Sequence, residues 1–233
     1  MDDMPARGLR ERAKADRTRR ILDAASRLFR AHGYEEVKLE EIAAQGEVSV
    51  GTLYNYFATK GDILMAIVSL EVEEVLAEGE HILGNPGRGL ATALDALVGG
   101  YFDHSLTYLS KDMWRRAMAL SVEAPGTRFS QRYSELDARL TDQVCALVAA
   151  FQRQGRVRRE VDARAAGEVV FNNLNNMFVE FVKSETMTLP DLKKRVRTQH
   201  AMLAAAIGAR PSAGRARLTP PARSRRPRGC SAR

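Results

Sequence analysis

The stretch EVSVGTLYNYFATK, residues 47–60, is the part of the sequence that indicates the fold. It sets two tyrosines, an asparagine, a glycine and a lysine beside apolar residues at positions 48, 53 and 57. If Leu53 faces inward on a helix, Phe57 points the same way, because four residues carry the helix about 40° beyond one full turn. The outward face is then made of Gly51, Thr52 and Asn55, with Tyr54 and Tyr56 on its two sides.

This outward face has the chemistry needed to read a DNA groove. Glycine lets the backbone approach a base edge or a phosphate, threonine offers a hydroxyl and a methyl group, and asparagine can pair with adenine through two hydrogen bonds. Tyr54, Tyr56 and Lys60 lie at its edges, where phosphate contacts set the position of a helix on DNA. On an isolated helix such a surface would simply be solvated, so its neighbours decide between the two interpretations.

The neighbouring segments predict a helix-turn-helix. Apolar residues at positions 21, 22, 25, 28 and 29 have the spacing of a helix with one buried face, and Gly33 ends it. A short helix is predicted at residues 39–45 and another at residues 50–57, with Gly46 as breaker and Ser49 as N-cap. Three short helices, the last two joined by a tight turn, are typical of a helix-turn-helix.

The rest of the chain predicts an all-α fold. A longer helix is predicted to start near Lys60 and to end at Gly79 or Gly84. The segment GNPGRG, residues 84–89, marks the break that follows it. Further helices are predicted at residues 88–108, 111–122, 128–154, 162–185 and 190–207, and no alternating strand pattern competes with them. The acidic residues of the long helix are interpreted as a solvated face: Glu71, Glu73, Glu74, Glu78 and Glu80.

Composition restricts the class of protein. With 233 residues, 45% of them hydrophobic, the chain can bury a sizeable core. No segment has the roughly 20 apolar residues of a membrane span, and the charged N-terminus lacks an apolar signal region. We therefore expect a cytoplasmic protein without a membrane partner. Its two cysteines, Cys145 in an apolar helical run and Cys230 near the C-terminus, are expected to be reduced thiols.

The net charge of +7 is unevenly distributed. Subtracting the eight arginines of residues 208–233 leaves residues 1–207 with a charge of about −1. Residues 7–20 nevertheless hold seven basic residues against two acidic ones, which favours a nucleic-acid partner close to the helix-turn-helix. Both segments are predicted to be mobile and to add electrostatic attraction alone, because residues 208–233 also lack the apolar residues needed to fold.

Residues 21–64, ILDAASRLFRAHGYEEVKLEEIAAQGEVSVGTLYNYFATKGDIL, resemble the DNA-binding domain of the TetR family of bacterial regulators. The resemblance rests on the Ala-Ala and Phe of the first helix, the Gly-Tyr after it, the Ile-Ala of the second helix, and VSVGTLYNYFATK. Two positions depart from the family pattern. Lys38 stands where a Ser or Thr usually caps the second helix. Glu47 stands where glycine is common, so its backbone is expected to adopt the left-handed conformation.

The resemblance implies a division into four segments. These are a basic N-terminal arm at 1–17, a helix-turn-helix domain at 18–64, an effector-binding and dimerisation domain at 65–207, and a disordered Arg/Pro-rich tail at 208–233. The predicted DNA-binding residues are Lys38, Val50, Gly51, Thr52, Tyr54, Asn55, Tyr56 and Lys60. The last two helices are implied to form a four-helix bundle with those of a second copy, through Val170, Leu174, Met177, Phe178 and Phe181.

Aromatic and methionine side chains concentrate on the middle helices of the larger domain. Taken singly each belongs to a core, but together they favour a cavity for a lipophilic or aromatic effector. The residues predicted to bind it are Phe102, Trp114, Met118, Tyr133 and Asn175. Asn175 falls within an apolar sector and needs a polar partner, which could be a ligand, a second copy or another helix.

Enzyme chemistry has little support in the sequence. The four histidines are scattered, no metal, phosphate-binding or nucleophile motif occurs, and Cys145 is expected to be an inert core thiol. No catalytic residue, metal or cofactor is therefore predicted. The predicted function is a ligand-responsive repressor that binds a palindromic DNA operator as a homodimer and is released by a small molecule. The alternatives are a non-specific or architectural DNA-binding protein and a helical enzyme of unrecognised class.

Overall fold

The computed structural model describes residues 4–209, with side chains from residue 11 onward. These residues form helices joined by short connections, which confirms the all-α prediction. The helices are α1 (Met4–His32), α2 (Leu39–Gln45), α3 (Val50–Tyr56), α4 (Lys60–Gly84), α5 (Leu90–His104), α6 (Lys111–Glu123), α7 (Arg128–Arg153), α8 (Ala163–Lys183) and α9 (Leu189–Ile207).

Helices α1 to α3 pack around a small apolar core. Ile21 and Phe29 of α1, Ile42 of α2 and Leu53 of α3 are each at most 1% exposed. The structure differs from the sequence prediction at the start of α1, which begins at Met4 rather than near Ile21, so the basic segment 7–20 continues the helix instead of forming a separate mobile arm.

The turn between α2 and α3 has the predicted backbone conformation. Glu47 has a φ of 52°, in the left-handed region, which costs a non-glycine residue about 1–2 kcal/mol. Gly46 has an ordinary φ, but a β-carbon there would lie 3.1 Å from the Ile42 carbonyl oxygen, closer than an ordinary contact. Glycine at this position therefore lets the chain turn tightly at the end of α2.

Helix α4 passes without interruption through residue 64, where a domain boundary was predicted. In the larger part, α7 packs along α8, α5 packs against α9, and α4 lies against both α5 and α7. Gly167 permits the close approach of α8 to α7, because a β-carbon there would lie 2.5 Å from the α-carbon of Cys145. Cys145 is buried in this contact, and burial raises the pKa of its thiol.

The end of α9 is held against the connection between α7 and α8. The Arg158 N–H donates to the Ile207 carbonyl at 3.0 Å, and the Ala209 N–H donates to the Arg156 carbonyl at 2.8 Å. The predicted tail, apart from Gly208 and Ala209, lies outside the described residues, as does Cys230. Across residues 4–209, no helix is both long and apolar enough to cross a bilayer.

Candidate functional site

Helix α3 presents the predicted reading face to solvent. The Ser49 hydroxyl accepts a hydrogen bond from the Thr52 N–H at 3.0 Å and so caps the helix, while Leu53 is buried on its inner side. Gly51 and Asn55 are exposed, and Thr52 is half-buried. The Thr52 hydroxyl lies 2.8 Å from that of Ser49, so within the protein it also supports the cap.

Three of the predicted contact residues lie around this face with free side chains. Tyr54 is 49% exposed and Val50 is 39% exposed, so both side chains are accessible to a partner. Lys38 is exposed at the start of α2, and its N–H donates to a carboxylate oxygen of Glu41 at 2.9 Å. Glu41 thus satisfies the N–H of the N-cap residue itself, while Lys38 makes no side-chain cap and its exposed ammonium group is available to a phosphate.

Two other predicted phosphate contacts are placed differently. The Lys60 ammonium group donates to the carbonyl oxygens of Tyr34 and Glu35 at 2.9 and 2.7 Å, and it lies 4.9 Å from the centre of the Tyr34 ring. Two of its three N–H donors are therefore used inside the protein, where they hold the α1–α2 connection to the start of α4. Tyr56 is half-buried against the core rather than fully exposed.

A cavity lies inside the larger part of the molecule, between α4, α5, α7 and α8, with α6 at one side. Its empty volume is about 630 Å³, part of it open to solvent. The structure brings four of the five predicted effector-binding residues to its wall, namely Phe102, Trp114, Tyr133 and Asn175. Met118 is not among the lining residues and packs half-buried against the core instead.

Aromatic rings form much of this wall. The ring centres of Trp114 and Phe178 are 5.3 Å apart in an edge-to-face arrangement, and Phe102 stacks on Phe178 at 6.1 Å. The Trp114 indole N–H donates to the Ser105 carbonyl at 2.7 Å, so this ring has a fixed orientation. The amide of Asn175 faces the same cavity and makes no hydrogen bond to any described residue.

The cavity wall also contains a carboxyl group that the sequence interpretation placed in solvent. Glu71 is 1% exposed, and one of its carboxylate oxygens lies 2.9 Å from Nδ1 of His104. The other oxygen is buried without a hydrogen-bond partner among the described residues. Burial raises the pKa of Glu71 to about 7, although the neighbouring His104 opposes the shift.

His104 links Glu71 to a second carboxylate. Its Nε2 lies 3.1 Å from Glu74, whose carboxylate also accepts a hydrogen bond from the Tyr108 hydroxyl. Burial alone would lower the pKa of His104, but the hydrogen bond and charge of Glu71 outweigh it, and the pKa of His104 is raised. The folded protein therefore holds protons on this cluster more tightly than free side chains would.

A second carboxyl group, that of Asp137 on α7, lines the cavity from another side. Burial raises the pKa of Asp137 to about 6, and its carboxylate has no hydrogen-bond or ion-pair partner within the described part of the chain. Tyr133, one turn earlier on α7, has its pKa raised by burial as well. Glu71 and Asp137 are the functional candidates that sequence reasoning missed.

The connection between α5 and α6, residues 105–110 and hereafter the α5–α6 loop, joins the cavity to helix α1. Ser105 lines the cavity, and the Tyr108 carbonyl accepts a hydrogen bond from the Ser26 hydroxyl at 2.5 Å. Arg30 donates to the carbonyl oxygens of Leu106 and Thr107 at 3.1 and 2.7 Å. One short loop thus contacts both the wall of the cavity and the helix-turn-helix part.

The predicted dimerisation residues require correction. Val170, Leu174, Phe178 and Phe181 are each at most 8% exposed in the single chain, and Leu174 and Phe178 line the cavity. Because they pack inside their own protomer, they are not available to a second copy; Met177 alone is half-buried. The sequence pattern correctly identified the apolar side of α8, but that side faces α7 and the cavity.

The outward side of α8 and α9 carries apolar residues instead. Val169 on α8 is 58% exposed and Met202 on α9 is 71% exposed. On the same helices Asn172 and Asn176 of α8 and the alanines at positions 201, 205 and 206 of α9 are exposed as well. The Asn173 amide joins the two helices by donating to Gln199 at 2.8 Å.

The described residues contain no group of three or more side chains placed to hold a metal ion. Away from the cavity, His200 is 2% exposed and its Nδ1 lies 2.8 Å from Asp95, so this histidine is paired rather than isolated. Burial lowers the pKa of His200, with Asp95 opposing the shift. No serine, threonine or cysteine side chain hydrogen-bonds this pair within the described region.

An exposed recognition helix joined by one continuous helix to a domain with an apolar cavity defines a DNA-binding protein with a separate ligand site. The comparisons with known proteins agree with this class. A family model, "Bacterial regulatory proteins, tetR family", matches residues 21–67. The transcriptional regulator TcmR of Streptomyces glaucescens is 30% identical over 169 residues, which are 64% of this chain and 74% of TcmR. The chain belongs to the TetR family and is a DNA-binding transcriptional regulator.

Two further similarities show less, because one covers a short range of the sequence and the other shows the fold alone. The transcriptional repressor KstR of Rhodococcus jostii is 38% identical over 80 residues, which are 34% of this chain and 36% of KstR, so the match spans about a third of that relative. The structure of the regulator FadR from Bacillus subtilis, in complex with stearoyl-CoA, has a TM-score of 0.62 at 20% identity. It covers 81% of this chain and 98% of FadR, and at this identity it shows the shared fold.

Proposed function

We propose that the protein is a homodimeric repressor that binds a palindromic operator and leaves it when a small lipophilic or aromatic molecule occupies the cavity. The observation that carries the proposal is the path of α4. Its start at Lys60 follows the recognition helix α3 after three residues, and Val68, Val72 and Val75 further along line the cavity. A ligand that shifts α4 therefore changes the position of α3.

Operator reading is assigned to the outward side of α3. Asn55 is exposed and can pair with adenine, and the open surface at Gly51 lets DNA approach the backbone. Tyr54 and Lys38 are proposed to bind phosphates on either side of this contact. Lys60 is proposed to position the recognition helix from inside the protein, since its ammonium group is bound to carbonyl oxygens.

Dimerisation is assigned to the outward side of α8 and α9, around Val169 and Met202. These two side chains are 58% and 71% exposed, and contact with a second copy would remove their apolar area from water. A two-fold dimer places its two recognition helices on half-sites about 34–36 Å apart, so the operator is expected to be palindromic. We place this activity in the cytoplasm, where the DNA target of a bacterial regulator lies.

The ligand is proposed to be largely apolar. Aromatic and aliphatic side chains form most of the cavity wall, which favours a lipophilic molecule by the area it removes from water. The stearoyl-CoA bound to FadR supports this, because FadR has the same fold around its own ligand.

Selection of bound fragments from genomic DNA, followed by titration of the selected site, tests the regulatory function. Asn55→Ala should weaken binding to the selected site by about 1–3 kcal/mol and barely change binding to random DNA. A candidate ligand should then perturb the fluorescence of Trp114, the single tryptophan, over the concentration range in which it releases DNA. Equal losses on both DNAs, or release without any change at Trp114, would contradict the respective assignment.

The dimer is tested by Val169→Glu, which places a charge in the proposed interface. Sedimentation should show a monomer at concentrations where the unmodified protein is a dimer, and operator affinity should fall because the half-sites are no longer bound together. Glu180→Gln on the same helix is a suitable control, since Glu180 is exposed and already pairs with Lys183. A dimer that persists in Val169→Glu would place the interface elsewhere.

A further inference from the structure

The cavity wall consists mostly of apolar side chains, but its ionisable groups are acidic. Both of its ionisable carboxyl groups, Glu71 from α4 and Asp137 from α7, reach it from different helices, and none of the described residues that line it is lysine or arginine. His104, which contacts Glu71 from outside the lining residues, also contacts Glu74 and is already engaged by both carboxylates. An anionic head group would find no counter-charge on this wall.

The two carboxyl groups are not satisfied by the protein. One oxygen of Glu71 is buried without a hydrogen-bond donor, and an unsatisfied buried acceptor costs about 1–3 kcal/mol. The Asp137 carboxylate also lacks a donor among the described residues, but it is half-buried and therefore reached by solvent. A molecule that brings a positive charge or N–H donors into the cavity would remove this cost at Glu71 and place an opposite charge beside Asp137.

The aromatic residues on the same wall favour a cation as well. Trp114, Phe102 and Phe178 form a contiguous group of rings with centre distances of 5.3 and 6.1 Å. Aromatic faces attract ammonium groups, by about 0.5–2 kcal/mol depending on how far the charge is desolvated. Carboxylates and aromatic rings together are the groups by which proteins bind hydrophobic amines, whereas a fatty acid carboxylate needs donors or positive charge.

We propose that the effector is a lipophilic organic cation, an amine or quaternary ammonium compound, whose charge lies against Glu71 and Asp137 and whose apolar part lies among the aromatic rings. This rests on the proposed function, because it specifies the ligand class of the same cavity. Binding of the cation favours the ionised form of Glu71, so binding near neutral pH releases protons to the buffer.

The test compares three ligands with the same chain length on the full-length protein: decyltrimethylammonium, decanol and decanoate, each below its aggregation threshold. Trp114 fluorescence and calorimetry report affinity, and calorimetry in two buffers of different ionisation enthalpy reports proton release. The cation should bind at least about tenfold more tightly than decanol, with decanoate weakest, and it alone should release protons. Tighter binding of decanoate, or binding of none of the three, overturns the proposal.

The variants Glu71→Gln and Asp137→Asn should each reduce the preference for the cation over decanol by about tenfold. Glu135→Gln is the matched control, because Glu135 lies on α7, is exposed, and its loss changes the net charge equally without touching the cavity. If Glu71→Gln does not fold, Asp137→Asn alone decides, since Asp137 is only half-buried. An unchanged preference in Asp137→Asn overturns the proposal.

Lauroyl-CoA distinguishes this inference from the proposed function. If it releases operator DNA and the three decyl probes do not, the protein responds to a ligand but the cationic class is wrong. If the cation binds the cavity with the expected charge preference and DNA stays bound, the ligand class stands and the proposed release mechanism fails.

Discussion

Gly51 occupies an exposed position in a short helix, where glycine reduces helix stability. A β-carbon added there would meet no atom of the protein within 4 Å, so internal packing does not require glycine. Glycine in a helix interior costs about 0.5–1 kcal/mol relative to alanine. The absence of a side chain is therefore best explained by something outside the chain that approaches the backbone, which in the proposed complex is DNA.

Gly51→Ala should accordingly separate stability from binding. We expect the free energy of unfolding to rise by at most about 0.5–1 kcal/mol, since Gly51 is the second residue of α3 rather than an interior one, and operator affinity to fall about tenfold or more. Gly100→Ala is the control: this glycine of α5 also has open space at its β-carbon, but lies far along the chain from α3. Chemical denaturation and DNA titration measure the two quantities, and unchanged operator affinity in Gly51→Ala would contradict close approach.

Glu71 makes stability depend on pH. Its pKa is raised from 4.5 in the unfolded chain to about 7 in the folded protein, so the folded state binds more protons between these values. The free energy of unfolding should therefore fall as pH rises from below 4.5 to above 7. The raised pKa of His104 acts in the same direction, because its stabilising charge is lost as pH rises further.

The effect is measured by comparing Glu71→Gln with the unmodified protein by denaturation at pH 5 and pH 8. The stability of the unmodified protein relative to the variant should decrease over this range by up to about 3 kcal/mol, since one pKa unit corresponds to about 1.4 kcal/mol. Glu135→Gln should show no comparable trend. A difference that stays constant with pH would mean that Glu71 does not change its protonation there.

The sequence contained part of the information about Glu71. It follows Ile63 and Ile67 at four-residue spacing and precedes Val75, so helical periodicity places it on the apolar side of α4 rather than with its acidic neighbours. Its partner was not predictable, because His104 lies 33 positions away in sequence and reaches it only through the packing of α5 on α4. Asp137 has a comparable signal, since it follows Tyr133 by four residues and precedes Leu140 and Val144 by three and seven.

At the scale of elements, the α5–α6 loop is, beside α4, a second connection between the cavity wall and the helix-turn-helix part. Ser105 at its start lines the cavity and holds the Trp114 indole, and Leu106 and Thr107 bind Arg30 of α1 through their carbonyl oxygens. A ligand that displaces Trp114 would therefore act on α1 through the hydrogen bond of Trp114 to Ser105, then the loop backbone, and last the two hydrogen bonds of Arg30.

Arg30→Ala removes the last of these contacts. We expect ligand affinity in the absence of DNA to stay unchanged. The coupling free energy between ligand and operator should fall by about 1 kcal/mol, so that the ligand weakens operator binding less than in the unmodified protein. Arg27→Ala is the control, as an exposed arginine of the same helix that makes no hydrogen bond to a described residue. Titration of DNA with and without saturating ligand measures the coupling, and equal coupling in Arg30→Ala and the unmodified protein would show that the Arg30 contacts do not carry it, leaving the Ser26 contact with Tyr108.

Element boundaries were the most predictable part of the fold. Ser49 and Thr188 cap α3 and α9 through their hydroxyls, and such residues are recognisable in sequence. The orientation of α8 was not predictable, because an apolar side that packs on α7 and one that packs on a second chain have the same residue pattern. The early start of α1 was missed because residues 4–20 lack an apolar period.

At the scale of the whole molecule, the charge of the chain lies mainly outside the part that reads DNA. Residues 208–233 contain eight arginines and no acidic residue. Only Gly208 and Ala209 of this segment belong to the described residues. Charge that is not positioned against base edges attracts any nucleic acid, and salt screens it.

Removal of residues 210–233 should leave the preferred operator sequence unchanged and lower affinity at low salt, with the two proteins converging as salt increases. DNA titration at several ionic strengths, with operator and random DNA, measures both effects. Loss of nearly all affinity for both DNAs would favour an architectural DNA-binding protein, and a changed preferred sequence would show that the removed residues read bases.

Helix α4 also determines how the molecule unfolds. Its first turns bury Ile63 and Leu64 next to the segment held by Lys60, and its middle turns form the cavity wall. Because one helix contributes to both hydrophobic cores, neither part can lose its structure without exposing apolar surface of the other. Melting should therefore be a single cooperative transition, and a ligand bound in the cavity should raise the temperature at which the DNA-binding helices unfold.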